Sequence, residues 1–183
     1  MIRAFFALSI SEQAEIELLD YSASLKAQLA RSPVRWVQPE NFHITLAFLG
    51  DIQQAELNRL ESLTEQVAEA FFPVDLQLSR LAWLPSPDKP KALVIEPEEQ
   101  PELMRLQSQF VRLIRDRGFS VDNRRYRPHL TLARCQKGMG AVPLDSISLN
   151  IETPMDEVVL YASQLTPAGA QYTPLFAVPL FSS

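Results

Sequence analysis

Two stretches of the chain carry residues able to do chemistry together: Phe42-His43-Ile44-Thr45-Leu46-Ala47-Phe48 and Pro128-His129-Leu130-Thr131-Leu132-Ala133-Arg134. They hold the only two histidines among 183 residues, and each histidine is followed by an apolar residue, then Thr, Leu and Ala. Imidazole titrates near neutral pH, so one member of a pair can carry a proton while the other lacks it. Paired general-acid and general-base catalysis requires that division. A threonine hydroxyl two residues on can donate to the oxygens of an anion held between the rings. The ligand this implies is a phosphate ester attacked in line by water. A single His-x-Thr is usually no more than a piece of strand; two copies that use the whole histidine content point the other way. A zinc site is disfavoured, because zinc takes three or four ligands and two histidines with a distant Cys135 do not supply them. No metal is expected.

Each stretch reads as a β-strand, rich in β-branched and aromatic residues and preceded by Asn or Pro. Alternation puts His43, Thr45 and Ala47 on one face, with Phe42, Ile44, Leu46 and Phe48 behind. His129, Thr131 and Ala133 share a face in the second copy, with Leu130 and Leu132 behind. The apolar faces pack inward, and the His/Thr faces look into a cleft that alanine is too small to block.

A length of 183 residues with 46% hydrophobic content fits one compact domain, residues 1–183, or two small lobes sharing a core. The formal charge of −5 argues against a broad basic surface for long duplexes, while a small footprint on one end of a nucleic acid stays open. One cysteine allows no internal disulfide and suits a reducing cytosol. Met1 to Ile10 is apolar but short, lacks a small-residue cleavage site and runs into an acidic helix, so it reads as a buried strand. No apolar run approaches the length of a membrane span.

Positioning the histidines needs a framework, and the chain supplies one. A strand over 2–10 is followed by a helix capped at Ser11, running to about Ala30 with Ile16, Leu19, Ala23, Ala27 and Ala30 as its apolar stripe. After the first histidine strand comes a helix over about 53–71, striped by Leu57, Leu60, Leu63, Val67 and Phe71. Strands over 74–84 and 92–95 form a hairpin. A helix opened by Pro101 turns Leu103, Leu106, Phe110, Leu113 and Ile114 to the core. After the second histidine strand, further strands are expected over 146–151, 157–163 and 171–180, with a turn at 166–169. The motifs lie about half the chain apart, and a helix leads toward each. The expectation is an α+β fold of two related lobes, with mixed, mostly antiparallel sheets lining a central cleft and helices outside.

Taken together, these residues resemble the 2H phosphoesterases, named for two His-x-Thr/Ser motifs. Within them the chain is similar to the bacterial RNA 2′,3′-cyclic phosphodiesterases, or 2′-5′ RNA ligases, of the LigT/ThpR type. The resemblance rests on Arg3-Ala4-Phe5-Phe6-Ala7-Leu8, on Arg35-Trp36-Val37-Gln38-Pro39-Glu40-Asn41 leading into the first motif through Gly50, on Arg127 through Arg134, and on Leu160-Tyr161-Ala162-Ser163 with Gly169-Ala170-Gln171-Tyr172. It implies a bilobal, pseudo-symmetric LigT-like fold and hydrolysis of RNA 2′,3′-cyclic phosphate to a 2′-phosphate without metal or cofactor. Some members also join tRNA-half ends through a 2′-5′ linkage without ATP. His43 would protonate the departing 3′ oxygen, His129 would activate water, and Thr45 and Thr131 would hold the nonbridging oxygens. Arg134 matches a family arginine near the phosphate, and Phe48 an aromatic position that stacks on a base.

Strict alternation sets Arg134 beside Leu132 and Phe48 beside Leu46, on the core side. A twist or bulge at each strand end is needed to turn them to the cleft. Core packing is the alternative for Phe48, and a solvated strand end for Arg134. Arg124, Arg125 and Arg127 read either as a solvated loop or as an RNA-phosphate contact beside His129. Tyr161 and Trp36 could stack on a base, with at least one expected in the core. The expected partners are RNA ends or small cyclic nucleotides, met by a monomer in the cytoplasm. Two other functions compete: hydrolysis of another cyclic phosphate, such as ADP-ribose 1″,2″-cyclic phosphate, and a non-catalytic RNA-end binding module.

Overall fold

A computed structural model describes residues 1–140, 142–144, 149–167 and 169–181. The first strand, β1 (Ile2–Ser9), is apolar on both faces, with Phe5 and Phe6 almost fully buried, so it lies inside the sheet. Helix α1 (Glu12–Gln28) begins where the Ser11 hydroxyl accepts the Ala14 N–H at 3.2 Å, with Glu12 and Glu15 in its first turn. It buries Ala14, Leu18, Ser22 and Leu25, not the expected stripe: Ile16 and Leu19 are 50% and 38% exposed, and Ala23, Ala27 and Ala30 face solvent. Three alanines offer too little apolar area to fix a helix face, and α1 instead turns its leucines to the sheet.

Strand β2 (Val34–Trp36) leads through a 3-10 turn (Pro39–Asn41) into β3 (His43–Ile52), the first histidine strand. Helix α2 (Leu57–Ala68) buries Leu60, Leu63 and Val67, with Phe71 just past its end, while Leu57 is partly covered. Strands β4 (Val74–Leu84) and β5 (Ala92–Pro97) form the expected antiparallel hairpin. Helix α3 (Pro101–Asp116) buries Leu103, Leu106, Phe110, Val111 and Ile114. The second histidine strand is β6 (Leu130–Cys135), followed by β7 (Ile151–Met155) and a terminal hairpin of β8 (Glu157–Thr166) and β9 (Gly169–Pro179). The strand expected at 146–151 falls largely outside the described residues, as does position 168 of the expected turn.

All strands join one curled antiparallel sheet in the order β7-β4-β5-β6-β3-β1-β8-β9, with β2 alongside β6. The order is symmetric about the β6–β3 junction. On each side the neighbour of the motif strand (β5 or β1) is linked to it through a helix (α3 or α1). The two lobes interleave, because β4 follows β3 in sequence yet pairs with β5, and β8 follows β6 yet pairs with β1.

Two bulges fall at the same place in the repeated motif. Between β1 and β3, Phe6 opposes Ala47 and Ala7 opposes Thr45, so Leu46 is skipped. Between β5 and β6, Leu93 opposes Ala133 and Val94 opposes Thr131, so Leu132 is skipped. An extra residue delays the alternation by one step. Ala47 and Ala133, expected on the cleft face, therefore join the core with Leu46 and Leu132. The next residues, Phe48 and Arg134, turn outward.

Candidate active site

The histidine strands are neighbours, paired antiparallel at Ile44 and Leu130, and diverge from that single paired position. Continuing the register sets His43 across from Thr131 and Thr45 across from His129. The histidines then occupy a diagonal, which in an ideal ladder spans roughly 7–8 Å. A phosphate group with its oxygens fits such a gap.

Both rings are held alike. The His43 Nδ1–H donates to the Asn41 carbonyl at 2.7 Å, and the His129 Nδ1–H to the Arg127 carbonyl at 2.7 Å. In each case the acceptor lies two residues back, and the bond fixes the neutral tautomer with Nε2 unprotonated. The Thr45 hydroxyl donates to His43 Nε2 at 3.2 Å. Thr131 is half-buried in the equivalent position of β6.

Burial pushes the His43 imidazole down to about 4, against the pull of the Asn41 carbonyl and with added repulsion from Arg134 and His129. Burial also lowers His129; the Arg127 carbonyl and Glu96 carboxylate oppose this, while the charges of Arg127 and Arg134 add to it. Arg134 acts on both rings, so its charge lies within reach of each. In the free protein both imidazoles are neutral at pH 7, and an anion seated there would draw protons back onto them.

Phe48 is 47% exposed and touches Phe5 with ring centroids 5.7 Å apart. Phe5 lies 5.0 Å from the His43 ring, and Tyr161 and Tyr172 lie 6.0 and 5.3 Å from it. These rings wall one side of the cleft. Tyr161 is thus beside His43, whereas Trp36 packs against the core under Lys26. Of the basic loop, Arg124 is paired with Asp122, and Arg127 donates from Nε to Glu96 while remaining 47% exposed. A hollow of about 320 Å³ between α3 and residues 122–126 lies apart from the histidines.

Sequence reasoning missed Phe5, Tyr172 and Glu96. Glu96 is 3% exposed and takes Arg80 at 2.5 Å as well as Arg127. Its signal was a lone carboxylate ending the apolar run Ala92-Leu93-Val94-Ile95, since a buried charge needs partners. Among the described residues no three His, Cys, Asp or Glu side chains gather as a metal-holding group, and no helix is long and apolar enough to cross a membrane.

Two imidazoles, each tied through Nδ1 to the carbonyl two residues back, thus stand on adjacent strands of one curled antiparallel sheet, with the charge of Arg134 acting on both. The chain belongs to the LigT like Phosphoesterase family, whose model matches residues 8–94 and 95–172. An RNA 2′,3′-cyclic phosphodiesterase of Methanothermobacter thermautotrophicus is 31% identical over 94% of this chain and 95% of its own. One from Bacillus subtilis is 32% identical over 60% of either chain. In fold, the chain matches Escherichia coli LigT complexed with 3′-AMP at a TM-score of 0.81, 24% identity and 99% coverage of both.

Proposed function

We propose that the chain hydrolyses RNA 2′,3′-cyclic phosphate ends to 2′-phosphates by acid–base catalysis without a metal. The observation that carries this reading is the matched pair of imidazoles, each tied through Nδ1 to the carbonyl two residues back, with both Nε2 atoms left for proton transfer. The names of the relatives support the choice of substrate. Water attacks phosphorus in line with the P–O3′ bond. His129 takes the water proton, His43 gives a proton to the departing 3′ oxygen, and solvent resets the pair. Thr45 and Thr131 hold the nonbridging oxygens, and Arg134 offsets their charge. Phe48 stacks on the terminal base, and the exposed part of Arg127 meets the RNA backbone. With the 5′-hydroxyl of a second RNA end in place of water, the same displacement forms a P–O5′ bond, breaks P–O3′ and leaves a 2′-5′ linkage with a free 3′-hydroxyl. All these residues come from one chain, so a monomer suffices. Residues 1–183 act as one domain because strands from both halves share the sheet. Its lone Cys135 suits the reducing cytosol.

Incubation with a 2′,3′-cyclic nucleotide in EDTA tests this. The expected product is the 2′-phosphomonoester alone, at a rate EDTA leaves unchanged; the 3′ isomer, or loss of activity to the chelator, refutes it. The pH dependence of kcat/KM reports the free protein. Activity falls at low pH as the base is protonated, and at higher pH as the acid loses its proton. Both histidines titrate below the ordinary value of about 6.5. The kcat/KM maximum is therefore expected on the acid side of that value, and a maximum well above neutrality contradicts the description of the site.

A further inference from the structure

Arg35 and Arg134 are direct cross-strand partners on β2 and β6, so their side chains leave the same face of the sheet. Two like charges in that position repel, which costs stability unless something answers them. Nothing described does: neither guanidinium forms an ion pair or hydrogen bond with a described residue. Other arginines of this acidic chain, Arg80, Arg124 and Arg127, have carboxylate partners. The face these two share is that of the cleft, because the bulge at Leu132 sends Ala133 to the core and returns Arg134 to the side of His129 and Thr131. Arg35 stands one strand further out and is not among the groups acting on either ring.

The tip of the β8–β9 hairpin comes over to this point. The Asn41 side chain donates to the Ala170 carbonyl at 3.4 Å, and the open side of Gly169 faces Arg35. A Cβ at position 169 would stand 3.8 Å from Arg35 Cδ and 3.9 Å from Nη1, on a φ of +132° that other residues rarely adopt. The hairpin tip thus stands at van der Waals range from the Arg35 side chain, and the positive φ is what favours glycine there.

We propose that Arg35, with Arg134, forms a second phosphate subsite adjoining the two-histidine pocket, which takes the internucleotide phosphate next to the reacting group. The site then selects an oligonucleotide end over a mononucleotide. This deepens the cyclic phosphodiesterase reading and rests on it. A guanidinium presents paired donors to phosphate oxygens, and a bound diester relieves the Arg35–Arg134 repulsion.

The test compares Arg35→Ala and Arg35→Lys with the unaltered chain on a nucleoside 2′,3′-cyclic phosphate and on a trinucleotide ending in the same group. Arg35→Ala is expected to raise KM for the trinucleotide about tenfold with kcat unchanged, while kcat/KM for the mononucleotide stays within about twofold. Arg35→Lys recovers part of the loss, and the difference shrinks as salt rises. The melting temperature of Arg35→Ala should not fall, since a like-charge pair is removed. Equal losses on both substrates, or no loss on either, overturn the proposal. Binding of a trinucleotide 2′-phosphate and a nucleoside 2′-phosphate, followed by fluorescence titration, reads the subsite without turnover. If the unaltered chain cleaves neither cyclic substrate, the phosphodiesterase reading fails. The subsite then stands or falls on whether Arg35→Ala weakens the longer ligand alone.

Discussion

Replacing His43 with alanine is expected to lower turnover of a 2′,3′-cyclic nucleotide by about 10²–10⁴-fold, and replacing His129 by a similar factor. On the proposed mechanism the two rings act on one displacement, so the double variant should be little worse than either single one. Neither loss should reflect unfolding, because both rings stand half-buried at the cleft, outside the packed core. Circular dichroism and thermal melts close to those of the unaltered chain check this. Activity in either variant within a few fold of the original removes the acid–base mechanism. The two roles can be separated by substituting sulfur for the departing 3′ oxygen. A thiolate leaves without a proton, since thiols ionise near 8.5. The variant lacking the general acid, expected to be His43→Ala, should recover on that substrate, while His129→Ala should not. The reverse pattern exchanges their roles.

Phe110→Ala should be the most damaging single change to stability, at about 3–5 kcal/mol. Phe110 is fully buried on α3 and meets Phe6 of β1 edge-on, with centroids 4.7 Å apart and planes at 81°. Close to that contact, the Gln107 side chain donates to the Leu46 carbonyl at 3.2 Å, at the bulge of β3. The helix therefore backs the two strands whose other faces carry Phe5 and His43. Removing the ring leaves a cavity behind the site, lowering the melting temperature by roughly 6–20 °C for a chain of this size. Phe110→Leu should lose markedly less. A Phe110→Ala chain that melts within about 2 °C of the original would mean that this packing is not what holds α3 to the sheet.

The strands bearing the histidines were legible because a twofold repeat of a five-residue pattern is hard to produce by packing alone. Helices α2 and α3 were legible from leucines and phenylalanines at helical spacing. Helix α1 was not read correctly, because alanines at the same spacing do not choose a face, and Leu18 and Leu25 decided it. The outward turn of Phe48 and Arg134 could be stated from sequence only as a requirement for a bulge. Where that bulge lies depends on the register against β1 and β5, which are distant in sequence. Glu96 escaped in part for a related reason: Arg80 faces it across the β4–β5 hairpin, where the register had to be known, and Arg127 reaches it only from a distant segment.

The crossing of strands between the lobes bears on synthesis and on cutting. The segment Ala4–Leu8 pairs with Val158–Leu160 and on to Ala162. A nascent chain emerging from the ribosome thus keeps one edge of β1 bare until Val158–Ala162 has been made. Strand β4 has both of its neighbours, β5 and β7, downstream. Such edges invite association with other chains while they wait. Scission in the loop between Leu84 and Ala92 would leave each fragment with bare edges that the other is shaped to cover. The pieces should therefore regain the cleft only when mixed, making that loop a natural point for a split reporter.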